Sequence, residues 1–547
     1  MTKNFKQNSL LSPAVAIRIA ISLIAFAIVP QVYAQTSTTD STATSSVLPN
    51  LGDGTDMTPN VERRLGDRIA RELYRDPDYV DDAVLMEYVQ GIWQPLLAAA
   101  RQRGELPSEQ DEAYAWEILL GRDRSVNAFA LPGAYFGLHL GLVGIVTSRD
   151  ELASVLAHEL SHVTQRHIAR MMTRQSQQAP WMLGAMILGL LAASKDPSAA
   201  NAVIMGSQAA AAQGQLNFSR DMEREADRVG FAISTQAGFA QQGFVTMFVK
   251  LQQASRLNDS GNFPYLRSHP LSTERMADMQ SRIELPDAAA PAPPTARKNV
   301  QETDHAMMAA RARVLSNYTV DALRTWAVEV DPTHLNRATP AQQAASLYGA
   351  TLAAIKLRDY KDAQTHWLRL LDSVRNDPVA SRLARLLGVE LRLAQGDGAA
   401  ALALLQSGAK LQDKNTRAEL FLAAQAQLQQ SVAGTTVAAV PGKDPVGSLA
   451  TTTQQLQTWV ADHPRDAQAW QLLSSTYAAE GRTLSSIRAQ AEVNVAQLDY
   501  LAALSRFKTA QEWARKGGAG TDHFEASIVD TRTRQVESTV REQALER

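Results

Sequence analysis

The chain of 547 residues contains no cysteine. Disulfides, thiol proteases, cysteine-rich zinc modules and a lipid-modified cysteine after a signal sequence are therefore all excluded. Net charge is only −2 and no dense Lys/Arg block occurs, which argues against nucleic acid as a partner. Aromatic residues make up only 6% of the chain, whereas Ala, Leu and Gln are abundant. This composition favours helices over sheets.

The first 34 residues have the pattern of a secretory signal peptide. Basic residues precede an apolar run from Ile19 to Val29. Val32-Tyr33-Ala34 then resembles the small-residue site at which a signal peptide is cleaved. The run is much shorter than the roughly 20 residues that a membrane span needs. We therefore expect the protein to be exported, with a disordered Ser/Thr-rich leader following at 35–58.

The stretch 148–167 contains the motif H-E-x-x-H, formed by His158, Glu159 and His162. On a helix, residues four apart leave the same face, so both imidazoles can bind one Zn²⁺ ion. Glu159 lies about 100° further round, where its carboxylate can take a proton from a zinc-activated water. Because the motif has only three fixed positions, it can also occur by chance, and the alternative interpretation is a surface helix that carries two histidines.

Helix signals accompany the motif. Ser148 followed by Glu151 predicts a capping box. The apolar residues Leu152, Val155, Leu156 and Leu160 predict a buried stripe.

A second acidic pair, Glu223 and Asp227, is again four residues apart and predicts one face of another helix. Glu223 can complete a His₂Glu zinc site, and Asp227 can accept a hydrogen bond from a ligand histidine and fix its tautomer. A solvated charged face is the alternative, and spacing alone does not separate Glu223 from Glu225. Glu225 projects about 200° from Glu223 and lacks an acidic partner at i+4.

Two other histidines near the motif are weaker candidates. A metzincin arrangement is excluded because the positions it needs hold Gln165 and Ile168. His167 is off by one residue, and we expect it on the surface, pointing away from the motif histidines. A strand–turn–strand pattern covers 126–143 and places His139 on a hairpin, where a half-exposed position is expected rather than a role in the site.

A family resemblance rests on four motifs. H-E-x-x-H at 158–162, E-x-x-A-D at 223–227, N-A-F-A-L-P-G at 127–133 and S-H-P-L at 268–271 resemble the M48 family of zinc metallopeptidases. The sequence looks most similar to the bacterial periplasmic branch of that family, the β-barrel assembly-enhancing proteases. One departure is Ala134, where the family usually has a second glycine in the hairpin turn.

The resemblance implies roles for individual residues. His158, His162 and Glu223 correspond to the ligands of one zinc ion, Glu159 to the general base and Asp227 to the residue that orients a ligand. His269 lies in the fourth motif, before a proline that favours an extended backbone. It is open to two roles, an oxyanion donor or a cap on the fourth zinc position, of which we favour the cap. An exposed loop histidine is the third alternative.

Domain organisation follows from a Pro/Ala-rich linker at 286–300. We expect a mainly α protein in which an α+β zincin-like domain with a small β-hairpin or sheet (59–285) precedes a TPR-like helical repeat solenoid (301–547). Small and aromatic residues recur in a tetratricopeptide-like register there. The repeat positions are Ala363, Trp367, Ala401, Leu405, Ala503 and Phe507, with Trp470, Leu473 and Tyr477 in the first-helix pattern.

Two functions from different classes fit this organisation. The first is a periplasmic zinc endopeptidase that degrades misfolded or misassembled envelope proteins and assists outer-membrane β-barrel assembly, its repeats contacting the β-barrel assembly machinery. The second is a chaperone-like TPR scaffold with a latent or inactive protease site. The uncharged stretch 181–193 is expected to be a buried helix, with an active-site flap or a peripheral membrane contact as the alternatives.

Overall fold

The structure is a computed structural model. It describes residues 57–174, 220–257, 264–283, 302–407, 416–432, 448–516 and 522–545. The predicted signal peptide, the linker at 286–300 and the apolar stretch 181–193 lie outside these residues, as does all but the end of the predicted leader. Among the described helices, none combines the length and apolar character that a membrane span requires.

The protease half is built from short helices around one small sheet. Its elements are α1 (Pro59–Arg75), β1 (Tyr79–Val80), α2 (Ala83–Gln102), α3 (Ser108–Ala113), β2 (Glu117–Gly121), β3 (Ala128–Leu131), β4 (Tyr135–His139), α4 (Leu140–Ile145), α5 (Arg149–Thr164), α6 (His167–Arg174), α7 (Arg220–Gln236), α8 (Gln242–Leu257), α9 (Tyr265–Ser268) and α10 (Thr273–Arg282). The predicted α+β character is confirmed.

The sheet has the strand order β1-β2-β4-β3. The predicted hairpin is β3 and β4, which pair antiparallel, while β2 pairs with β4 in parallel. The second strand was predicted to reach residue 143, but it ends at His139 and a short helix follows. Gly141 lies against the backbone of Arg124, where a methyl group would be only 2.1 Å from the Arg124 carbonyl oxygen, so a larger residue would not fit here. Because of this strand order, β4 is an internal strand and β3 is an edge strand, which lies beside α5.

The turn of this hairpin explains the departure at Ala134. Gly133 and Ala134 both have positive φ angles, of 71° and 59°. Glycine adopts this region without steric penalty, whereas an alanine there costs roughly 1 kcal/mol. Ala134 nevertheless keeps the turn, and its methyl group is fully buried.

Helix α5 carries H-E-x-x-H through the centre of the domain. The Ser148 hydroxyl accepts a hydrogen bond from the Glu151 backbone N–H, at 3.2 Å, so the predicted N-cap is confirmed. The Glu151 carboxylate does not close a capping box, because it accepts from the Thr147 N–H and from Lys250 instead. The predicted apolar stripe is buried, and so are nearly all other residues of the helix.

Helix α7, which carries Glu223 and Asp227, packs directly on α5. Gly230 makes the close approach, since a methyl group there would lie 3.0 Å from the Ala157 carbonyl oxygen. This contact places the acidic face of α7 against the histidine face of α5.

The C-terminal half is a helical repeat region. Its helices are α11 (Glu302–Ser316), α12 (Val320–Glu329), α13 (Pro332–Leu335), α14 (Pro340–Leu357), α15 (Tyr360–Val374), α16 (Pro378–Ala394), α17 (Gly398–Ser407), α18 (Arg417–Val432), α19 (Leu449–Asp462), α20 (Ala467–Ala479), α21 (Thr483–Ala496), α22 (Tyr500–Arg515) and α23 (His523–Leu545). Consecutive helices pack in pairs, and the small and aromatic residues of the predicted repeat register are buried between them, apart from the half-buried Leu405.

The repeats pack against the protease half and share its hydrophobic core. Arg311 of α11 forms ion pairs with Asp82 at the start of α2 and with Glu390 of α16. Arg149 at the start of α5 pairs with Asp304 at 2.9 Å. The first repeat helix therefore contacts the helix that carries the metal motif.

Candidate metal centre

Three side chains from α5 and α7 converge at the centre of the protease half. The Nε2 atoms of His158 and His162 lie 3.0 Å apart. Each is 3.5 Å from an oxygen of Glu223. All three side chains are at most 2% exposed as residues. The structure thus brings together the three predicted ligands.

The donor set fits a zinc ion. Two imidazole nitrogens and one carboxylate oxygen bound at about 2.0–2.1 Å in tetrahedral geometry would lie about 3.3 Å from one another. The observed separations of 3.0 and 3.5 Å bracket that value. His269 is the fourth member of this cluster, whose candidate ligand atoms all lie within 4.8 Å of one another.

Glu159 is buried next to the cluster rather than within it. Burial raises the pKa of its carboxyl group, while His269 and His158 oppose that rise. The nearby Ala130 backbone of the edge strand β3 also lowers its pKa. A carboxylate with a raised pKa in a buried site is well suited to accept a proton from water.

His158 is oriented by Asp227, the residue predicted for this role. Its Nδ1 lies 3.0 Å from an Asp227 oxygen, which leaves Nε2 facing the ligand cluster. Arg275 holds Asp227 through two short hydrogen bonds, and its Nη1 lies 2.8 Å from Glu223. Burial alone would raise the pKa of Asp227, but Arg275 and His158 hold it below its usual range. Sequence reasoning missed Arg275, which reaches the site only because α10 packs against α7.

His167 is not on the surface, and that prediction was wrong. Helix α5 ends at Thr164, and Arg166 adopts a positive φ angle of 51° that reverses the chain. His167 therefore returns towards α5 and is fully buried, with its Nδ1 2.9 Å from Nδ1 of His162. Extending the helical geometry of α5 past its end produced the error. Burial lowers the pKa of His167 to about 4, so it is neutral near pH 7.

Glu225 has a role on the outer side of His167. Its carboxylate lies 3.0 Å from His167 Nε2 and 2.8 Å from Arg170. It is about one third exposed and is not a member of the ligand cluster. The choice of Glu223 over Glu225 as the candidate ligand agrees with this placement.

His269 is buried at the cluster, so the exposed-loop alternative for it is wrong. Its Nδ1 lies 3.0 Å from Glu223 and 3.3 Å from His158 Nε2, and its Nε2 lies 3.4 Å from Glu159. The Tyr265 ring packs against it, with centroids 4.7 Å apart.

His139 lies outside the cluster, as expected, but it is buried rather than half-exposed. Its Nδ1 is 2.9 Å from the Ser125 hydroxyl at the end of β4. The buried histidine therefore has a polar partner at the point where β4 ends and α4 begins.

A buried H-E-x-x-H helix, a packed helix with a third ligand and a small sheet beside them define a zincin-like metallopeptidase fold. Residues 88–283 match peptidase family M48. All six predicted site residues lie inside the matched range.

Three bacterial proteins are similar to this chain. A beta-barrel assembly-enhancing protease of Yersinia pestis is 27% identical over 448 residues, which cover 82% of this chain and 83% of that protein. The Escherichia coli K12 protein of that name is 29% identical over 58% of this chain and 62% of its own length. A Vibrio cholerae protein, provisionally given the same name, is 33% identical over 58% of this chain. The chain spans 62% of the Vibrio protein, slightly less than two thirds.

Proposed function

We propose that this protein is a zinc-dependent endopeptidase of the periplasm, which cleaves misfolded or misassembled envelope proteins. The observation that carries the proposal is the convergence of His158, His162 and Glu223, with Glu159 beside them and buried. A zinc ion held by these three residues supplies Lewis-acid chemistry, acidifying water and polarising a peptide carbonyl.

The side chains then divide the work of hydrolysis. Glu159 accepts a proton from the attacking water and passes it to the leaving amine. Asp227 holds His158 with Nδ1 protonated and Nε2 free for the metal, and Arg275 fixes Asp227. The edge strand β3 offers backbone groups beside Glu159, so an extended substrate chain can be added to the sheet there. Such strand addition recognises the backbone of the substrate rather than its sequence, so it suits unfolded chains of many sequences.

His269 supports a latent resting state. It contacts Glu223, His158 and Glu159 at 3.0–3.4 Å, which is where a fourth zinc ligand or an oxyanion donor would lie. Of these roles we favour the cap, because Nδ1 of His269 lies among the ligand atoms. An exported protease surrounded by partly folded chains benefits from being inactive until a substrate engages it.

The repeat region is proposed to recruit substrates and the β-barrel assembly machinery, in keeping with the names of the relatives. A cavity of about 550 Å³ is lined by Arg63 of α1 and by residues of the last repeat helices, α19 to α23. Its apolar wall includes Leu473 and Tyr477, and Arg465 lies at its rim. Concave surfaces of stacked helices commonly hold extended partner segments. Replacing Arg465 with Glu should weaken binding of purified assembly machinery while leaving zinc content and folded stability unchanged.

The test of the enzyme is the variant Glu159→Gln. It should retain one zinc ion per chain and its folded stability, yet lose cleavage of an unfolded protein by about 10²–10⁴-fold or more. Chelation of the wild-type protein should abolish the same cleavage, and added zinc should restore it. Near-normal cleavage by Glu159→Gln would exclude this mechanism, whereas a zinc-loaded wild-type protein that cleaves no unfolded substrate would favour the scaffold alternative.

A further inference from the structure

The two candidate zinc-ligand histidines are held in different ways. His158 is oriented by a carboxylate, Asp227, which is itself fixed by a buried arginine. At His162 the corresponding neighbour is another imidazole, that of His167, at 2.9 Å. A histidine that binds metal through one ring nitrogen must carry its proton on the other, and that proton needs an acceptor.

One arrangement of protons satisfies every contact in this chain of side chains. With Nε2 of His162 facing the cluster, its Nδ1–H donates to Nδ1 of His167. Nδ1 of His167 is then unprotonated, so its proton is on Nε2, which donates to the Glu225 carboxylate at 3.0 Å. Arg170 holds that carboxylate from the solvent side.

We propose that His167 is a positioning residue for the metal centre, which fixes the tautomer and ring orientation of His162 and is itself fixed by Glu225. The proposal deepens the proposed zinc site and rests on it. The chain reversal at Arg166 is what makes the contact, and Glu62 holds Arg166 in place through two hydrogen bonds. Arg166 and His167 together thus support His162, as Asp227 supports His158 one turn earlier on α5.

The test compares zinc affinity in variants that keep or remove the acceptor. His167→Asn places an amide oxygen near the position of Nδ1, whereas His167→Gln places its amide near Nε2, away from His162. We expect His167→Gln and His167→Phe to weaken zinc binding by about 10–100-fold, as losses of such orienting partners do. His167→Asn should recover most of that loss. Affinity is measured by competition with a chromogenic chelator, so the result does not depend on activity.

A double-variant cycle tests the link to Glu225. Glu225→Gln should lower zinc affinity by a smaller factor in the wild-type background and should have no further effect in His167→Phe. A purely structural role for His167 would make Asn no better than Gln, and would leave the effect of Glu225→Gln unchanged. His139→Phe is the matched control, because it replaces a buried histidine outside the cluster and should leave zinc affinity unaltered.

The outcomes separate the two proposals. If the wild-type protein fails to hold one zinc ion, the proposed function fails. If the wild-type protein holds zinc and the Gln and Phe variants bind it equally tightly, only the role of His167 fails. Unfolding temperatures of the zinc-free variants identify any variant that is simply misfolded, and the Asn–Gln comparison remains informative in that case.

Discussion

Arg275 and Asp227 form a buried bidentate pair, with Nε 2.6 Å from Oδ2 and Nη2 2.7 Å from Oδ1. Both side chains are at most 5% exposed. Because Asp227 also contacts the Nδ1 of His158, the arginine connects the short helix α10 to the candidate metal centre. The same guanidinium reaches Glu223 and the Pro270 carbonyl, next to His269.

The first prediction concerns this pair. Arg275→Met should destabilise the zinc-free protein by about 3–5 kcal/mol, because it leaves two buried carboxylates without their cation. Zinc affinity should also fall, since Asp227 loses the group that fixes it. Arg282→Met, on the exposed side of α10, is the control and should change stability by no more than about 1 kcal/mol. Equal unfolding temperatures for the two variants would contradict the prediction.

Ligand identity is the second prediction. Glu223→Gln should abolish stoichiometric zinc binding, whereas Asp227→Asn should weaken it by about 10–100-fold. Glu225→Gln should have the smallest effect of the three, because it acts only through His167. Metal analysis after dialysis against a weak chelator ranks the variants. A greater zinc loss in Glu225→Gln than in Glu223→Gln would reassign the ligand.

The sequence was sufficient for the parts of the site that lie within single helices. His158, Glu159 and His162 share α5, and Glu223 and Asp227 share α7, so helical spacing placed each set correctly. His167 and Arg275 were beyond such reasoning, because they reach the site only through tertiary packing. A left-handed residue ends α5 before His167, and Arg275 depends on how α10 docks against α7. Local periodicity contains neither piece of information.

The edge strand gives the third prediction. A proline at Leu138 would disrupt the sheet, because this residue of β4 is paired on both sides. The edge strand is β3. The His139 N–H donates to the Asn127 carbonyl, so in the alternating antiparallel ladder the Ala130 N–H faces away from β4. Ala130→Pro removes that N–H while leaving the ladder to β4 intact.

We expect Ala130→Pro to raise KM for an unfolded protein substrate more than it lowers kcat. Zinc content and unfolding temperature serve as controls for the integrity of the site. A variant that retains zinc and shows unchanged KM would show that substrates do not use this edge.

The fourth prediction concerns His269. If this residue caps the metal centre at rest, His269→Ala should increase basal cleavage of a fixed unfolded substrate. If it instead donates a hydrogen bond to the oxyanion, the same change should reduce kcat by about 10²-fold or more. The contact with Glu223 favours the first result. Tyr265→Phe keeps the ring that packs on His269 and is the control for local packing.

The last prediction concerns pH and the contact between the two halves of the protein. His305 of α11 is buried in the protease half, with Nδ1 2.5 Å from the Tyr88 hydroxyl and Nε2 2.9 Å from the Val146 carbonyl. Burial lowers its pKa from 6.5 to about 4. The folded state therefore favours neutral His305, and the stability that this residue contributes is complete above pH 6.5.

That stability is lost as the pH falls from 6.5 towards 4, because the unfolded chain then binds a proton that the folded protein rejects. The loss attributable to His305 should reach about 2 kcal/mol at pH 5. His305→Gln keeps a donor and an acceptor but cannot titrate in this range. Chemical unfolding of the zinc-free proteins at pH 7.5 and pH 5 should show a smaller decrease for the variant than for the wild type. Equal decreases would mean that another group, and not the histidine joining the repeats to the protease, sets the acid sensitivity of the fold.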